Sequence, residues 1–144
     1  MTPYEFHQNI AAALTGCQLV EQELKLYISE ALELVSKSLN DRLPFKMSGQ
    51  DYQDSPLETL IKVFGKLSDN PILAAQLKEF KAERNFLGHK AITRCLDHEG
   101  ELETQSMIEL ESRLSLIISQ SKQLCRAINE EADKFRGHLW FDCV

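Results

Sequence analysis

The sequence is short of the residues that interrupt helices. Six glycines and four prolines are scattered through 144 residues. That scarcity, with charges spread along the chain, excludes long disordered linkers and low-complexity tracts. Aromatic residues make up only 8% of the chain, so composition offers no evident platform for stacking bases. No apolar run approaches the roughly 20 residues that a membrane helix needs. The opening residues, MTPYEFHQNI, carry neither a basic region nor an apolar core. No signal peptide is read there, and a cytoplasmic protein is expected.

Cysteines are few as well. Cys17, Cys95, Cys125 and Cys143 form no C-x-x-C pair. Cys17 and Cys125 fall at apolar helical positions and read as small core residues. Cys95 and Cys143 lie near His98 and His138, but the spacings match no zinc pattern. No metal or cofactor is expected.

What is present suits one compact domain over residues 1–144. The chain is 43% hydrophobic and 26% charged, enough for a substantial core. A net charge of −6 argues against a broad nucleic-acid-binding surface. The charge is uneven, however. Residues 1–70 sum to −4 and residues 95–144 to −5. Residues 71–94 sum to +3, from Lys78, Lys81, Arg84, Lys90 and Arg94 against Glu79 and Glu83.

Apolar or small residues recur at steps of three and four through Phe6, Ile10, Ala13, Cys17, Val20, Leu24, Ile28, Ala31, Val35 and Leu39. This spacing predicts one long amphipathic helix over residues 3–39. Thr2, Pro3 and Glu5 form its start signal, and Gly16 marks a kink or a close helix contact. Glu21, Lys25, Glu30 and Glu33 read as surface charges. Residues 40–55 lack periodicity and hold Pro, Gly, Asn and Asp, which reads as a loop. A loop that long exceeds what a helical bundle needs.

Ser55, Pro56 and Glu58 read as the cap, first turn and capping box of a second helix. Its apolar face is Leu57, Leu60, Ile61, Phe64 and Leu67. Asn70 and Pro71 open a third helix, whose apolar side carries Leu73, Leu77, Phe80, Leu87 and Ala91 and which is expected to end near residues 93–96. A fourth helix is expected from about residue 104–106, capped by Ser106 with Glu109. Its stripe is Leu110, Leu114, Ile117, Ser121, Leu124, Ile128 and Phe135, and Gly137 is its expected stop. The apolar tail HLWFDCV should dock on the helices or on a second subunit. The architecture expected is all-α, an up-down four-helix bundle.

The candidate chemistry lies in ERNFLGHK, residues 83–90. At about 100° per residue, Arg84 falls in the middle of the third helix's apolar arc. A permanently charged side chain there must snorkel, meet a carboxylate or line a wet groove. Lys78, Lys81, Asn85 and His89 share a different, polar arc, with His89 about 140° from Arg84. Taken one by one, Arg84 reads as an ion pair with a neighbouring helix, and the others as exposed polar residues.

Taken together, Arg84-Asn85-x-x-x-His89 on the third helix of a small α-domain resembles the signature of the HEPN superfamily. That signature is an arginine, a short spacer and a histidine, often with a polar residue directly after the arginine. The upstream helix PLETLIKVFGKL is similar to the corresponding helix in many such domains. The resemblance implies a metal-independent endoribonuclease of a toxin or phage-defence system. It implies a homodimer with two motifs facing one cleft, single-stranded RNA as substrate, and an antitoxin-like protein as partner. Carried over, His89 would act on the ribose 2′-OH or the leaving 5′-oxygen. Arg84 would hold the scissile phosphate, and Asn85 would orient the phosphate or the histidine.

These residue types suit that chemistry on their own account. Attack by a neighbouring 2′-OH needs a group that exchanges protons near neutral pH, as imidazole does. The crowded phosphorane needs a cation, and a guanidinium fork matches phosphate oxygens. Lys78, Lys81 and Lys90 would track the RNA backbone. The alternative reading is a non-catalytic helical dimerisation module that binds a nucleotide or a protein.

Overall fold

The computed structural model of the chain describes residues 2–89 and 104–141. Among these, all regular structure is helical: α1 (Pro3–Leu39), a 3-10 turn (Gly49–Tyr52), α2 (Leu57–Leu67), α3 (Pro71–His89) and α4 (Thr104–Phe141). No helix among the described residues is long and apolar enough to cross a membrane.

α1 starts where its sequence signal places it. Thr2 Oγ1 accepts from Glu5 N–H at 3.1 Å, and the Glu5 carboxylate accepts from Thr2 N–H at 2.8 Å. This capping box satisfies two amides that a helix start would otherwise leave unpaired. The stripe from Phe6 to Ala31 is buried as the periodicity requires, with Tyr27 and Leu32 added. It runs out before the helix does, because Val35 is 38% exposed. Asn40 ends α1 in the left-handed region at φ 48°, a conformation asparagine tolerates better than most residues.

The other starts are partly as expected. Asn70 caps α3, its Oδ1 accepting from Leu73 N–H at 3.0 Å. Ser55 does not cap α2. Pro56 occupies that position without any side-chain hydrogen bond, and the helix begins one residue later at Leu57. α4 is already helical from Thr104, so Ser106 lies inside it and not at its start. Gly137 does not stop α4 either, because the helix continues to Phe141. A single glycine costs a helix about 1 kcal/mol, and Leu139, buried on the far side of it, offsets that by its own burial. Among the described residues of the apolar tail, Leu139 is buried, while Trp140 and Phe141 are 62% and 81% exposed.

The order of pairings along the helices departs from an up-down alternation. Gly16 lies against Ser121, Tyr27 against Phe135, and Glu30 against Arg136. Both helices therefore advance in the same direction, so α1 and α4 are parallel. α2 also follows α1. Leu57 and Glu58 share a groove with Glu21, and the Tyr27 ring meets Phe64 at 4.8 Å while its hydroxyl donates to Leu67 O at 3.4 Å. The physical reason is the connection over residues 40–55, which is not a short hairpin loop. Phe45 to Gly49 run back along the α1 surface from Ser36 to Ser29, so α2 starts beside the middle of α1. α3 alone runs opposite, after the three-residue turn at 68–70, as its pairs Lys81–Glu58 and Glu83–Arg113 require.

Two glycines permit the closest of these approaches. A Cβ on Gly16 would collide with Ser121 Oγ and lie 2.9 Å from Ser121 Cβ. One on buried Gly49 would lie 2.9 Å from the Ser29 Cα. The expected close contact at Gly16 is thus present. The core between the helices contains Phe6, Phe64, Phe80, Leu24, Leu77 and Ile117, all essentially inaccessible to solvent.

Candidate functional site

Arg84 sits on α3 at the edge of the core, and its side chain reaches the carboxylate of Glu21 on α1, with Nε 3.5 Å from Oε1. The pair closes one end of a groove of about 220 Å³ formed where α1, α2 and α3 meet, lined by Glu21, Pro56, Glu58, Lys81, Arg84 and Asn85 among others. Lys81 Nζ stands 3.9 Å from Glu58. The wheel places Lys81 and Asn85 on a separate arc from Arg84, yet the groove takes in all three. Pro56 and Leu57, at the start of α2, line the same concavity.

Lys78 is exposed and does not belong to this groove. His89 is the last residue of α3, its side chain outside the described part, and Lys90 lies outside the described residues. So do Ala91, residues 93–96, Cys95, His98 and Cys143.

The Arg84 guanidinium extends towards the C-terminal end of its own helix. Its Nη1 lies 3.4 Å from where a Cβ of Gly88 would stand. Gly88 is one turn beyond Arg84 and adjacent to His89. The helix is unbroken there, so this glycine does not deform the helix. It leaves the surface bare where the guanidinium rests. The Arg84 side chain keeps 38% of its surface exposed, against 20% for Glu21.

The carboxylates are what the sequence reading missed. Glu21 and Glu30, expected as surface charges, hold Arg84 and Arg136 respectively. No local spacing announces either pair, since the partners are far apart in sequence. Around the site, burial pushes the Cys17 thiol up to about 11, with Arg84 pulling the other way. Cys17 is buried and Cys125 partly so, both as free thiols. Among the described residues no three or more metal-ligating side chains gather into one cluster.

As chemistry, the groove offers one guanidinium, one ammonium and one amide, with a carboxylate beside each cation. No protein-family model, no curated protein and no solved structure matches this chain.

Proposed function

We propose that this chain is a HEPN-like, metal-independent endoribonuclease that works as a homodimer on single-stranded RNA. In that reading it is a toxin or phage-defence component restrained by an antitoxin-like partner. The observation that carries the reading is the course of Arg84. Its guanidinium lies along α3 over Gly88, towards the turn that holds His89, and remains partly open to solvent. On the wheel Gly88 lies between Arg84 and His89, so a guanidinium over Gly88 supports a shared site. Asn85 and Lys81 open onto the same groove.

In the mechanism, Arg84 holds the non-bridging oxygens of the scissile phosphate and offsets the charge that builds on them. His89 takes the proton of the 2′-OH or gives one to the departing 5′-oxygen. Asn85 donates to the phosphate, and Lys81 meets the next phosphate along the strand. Glu21, 3.5 Å away, is close enough to hold Arg84 in place and long enough in distance to release it. The two-fold partner contributes a second copy of each group.

The test is cleavage of single-stranded RNA in EDTA, with 2′,3′-cyclic phosphate ends as product. Arg84→Ala and His89→Ala should each lower the rate by about 100-fold or more, with unchanged melting behaviour for His89→Ala. Uncleaved RNA, or cleavage untouched by both variants, removes the proposal.

A second reading, a non-catalytic module that binds a nucleotide or a protein, rests on a specific observation. Both cations of the groove already stand beside carboxylates, Arg84 by Glu21 and Lys81 by Glu58. Glu21→Gln separates the two. A ribonuclease gains RNA affinity when that competitor for Arg84 is neutralised. A module whose groove is set by the ion pair loses stability and gains nothing for RNA.

A further inference from the structure

The outward face of α1 is the one the core does not use. On a surface helix that face is ordinarily rich in charge. The chain is 26% charged and carries a net −6, yet no exposed residue of α1 from Gln8 to Leu26 bears a charge. Gln8, Ala12, Thr15, Leu19, Gln22 and Leu26, all exposed, recur at steps of four and three and lie within about 80° of one another. That is the spacing of a helix packed lengthwise on another helix. Leu19 and Leu26 are 54% and 47% exposed, and Thr15 has already given its hydroxyl proton to Ala11 O at 2.9 Å. Glu23 and Lys25 are half-buried and fall outside this arc. Beyond Leu26 the next exposed residue of α1 is Glu33, which pairs with Lys37.

We propose that this face pairs α1 with α1 of a second copy of the chain, running antiparallel. Charge and shape both select that occupant. Two chains of the same net sign repel where charged surfaces approach, and along about 28 Å of helix neither copy presents a charge. The face is also uneven. Its middle has two small residues, Ala12 and Thr15, followed by two long ones, Leu19 and Gln22. An antiparallel copy sets Leu19 against the partner's Thr15 and Gln22 against the partner's Ala12, so each long side chain meets a small one. A parallel copy in register would set long against long and small against small, which crowds one end and leaves a void at the other. The contact is one helix wide, at the small end of protein interfaces, which fits a micromolar affinity. Glu21, which holds Arg84, lies about 120° round α1 from Thr15, so the pairing leaves that groove open. The two-fold axis between antiparallel helices keeps both grooves on one side of the pair. Nothing in the pairing requires the ribonuclease chemistry.

Sedimentation equilibrium of the full chain reads the pairing directly. The wild-type chain should form dimers at micromolar concentration. Leu19→Glu and Thr15→Lys each place an unpaired charge in the contact and should each weaken dimerisation about tenfold or more. Both positions are exposed in the single chain, so helicity by circular dichroism should hold in both variants. Mixed in equal amounts, the two variants should pair with each other to within about threefold of wild type, because an antiparallel heterodimer sets the carboxylate of one against the ammonium of the other. Ile72→Glu, at an apolar residue of α3 that is 73% exposed, should leave dimerisation unchanged. A wild-type chain still monomeric at about 1 mM overturns the proposal, as does a Leu19→Glu chain that pairs as well as wild type. A mixture as weak as its two components overturns the antiparallel arrangement. Equal weakening by Ile72→Glu would show general apolar adhesion in place of this face. Arg84 and His89 are untouched and no RNA is present, so loss of pairing and loss of cleavage are read separately.

Discussion

A guanidinium on an apolar arc has to be neutralised or wetted, and Arg84 is both: it meets Glu21 and keeps more than a third of its surface in solvent. At 3.5 Å and that exposure the pair contributes little to folding, below about 1 kcal/mol. Arg84→Ala should therefore barely move the urea midpoint, and a large loss of stability would mark the pair as structural. The dilemma itself was legible in the sequence, since one charged residue stood among Leu77, Phe80 and Leu87. Its resolution was not, because the carboxylate that answers it comes from a helix more than sixty residues earlier.

Gly16 shows the same division. Its presence in a long helix signals a close contact, but only the crossing with Ser121 says with what. Gly16→Ala places a methyl group on Ser121 and should cost about 1–3 kcal/mol, measured by urea denaturation. Rotating the Ser121 hydroxyl away does not relieve it, because the Ser121 Cβ is also within 2.9 Å. The thiols of Cys17 and Cys125, both pushed up to about 11 by burial, should resist iodoacetamide at pH 8 in the native protein and react in urea, as read by peptide mass spectrometry.

Single helices were read well from the inside and less well at their ends. Stripes of leucine, isoleucine and phenylalanine locate α1 to α4 because the period of burial is the period of the helix. Their termini depend on whichever contact prevails locally. Thr2 and Asn70 cap as expected, while Gly137 is overrun because Leu139 is buried beyond it. The last turns of α4 are tied to α1 by Arg136, which meets Glu30 at 2.8 and 3.0 Å and also donates to Asn129 and Asp133. Both members of the Arg136–Glu30 pair have side chains less than 15% exposed. Arg136→Ala strands the Glu30 carboxylate and should lower stability by about 3 kcal/mol, seen as a lower urea midpoint.

The Tyr27 hydroxyl links α1 to α2. Burial first, and Glu131 second, raise its pKa from about 10 to about 12. A raised acid favours the neutral phenol in the folded state. Its contribution is complete below the unfolded value and declines as pH climbs from about 10 through about 12. Tyr27→Phe should flatten the stability loss in that window, measured as urea midpoints at pH 9 and pH 11.5. An unchanged alkaline slope would assign the loss to other groups, among them the buried thiols.

Across the described residues, the four α-helices and the all-helical character were legible, and the direction of each was not. Hydrophobic period says how a helix faces, never which way its neighbour points. Direction is set here by the connection at residues 40–55, whose excess length was visible and whose return path along α1 was not. Sizing by light scattering checks the proposed homodimer: two chains are expected at micromolar concentration, and a strict monomer would overturn the two-motif cleft of that proposal. The net charge of −6 works against such pairing, so raising the salt concentration should strengthen it.

One consequence follows from α1 and α4 running side by side in the same sense. Each peptide unit carries a small electric dipole, and aligned helices add theirs where opposed ones cancel. Thirty-seven and thirty-eight residues reinforce each other, α2 joins them, and the nineteen residues of α3 oppose. The backbone dipoles of the described helices therefore leave a net moment along α1. Its positive end lies where α1 and α4 begin, worth about half a unit charge for each helix, and the carboxylate of Glu5 in the first turn of α1 already answers one of them.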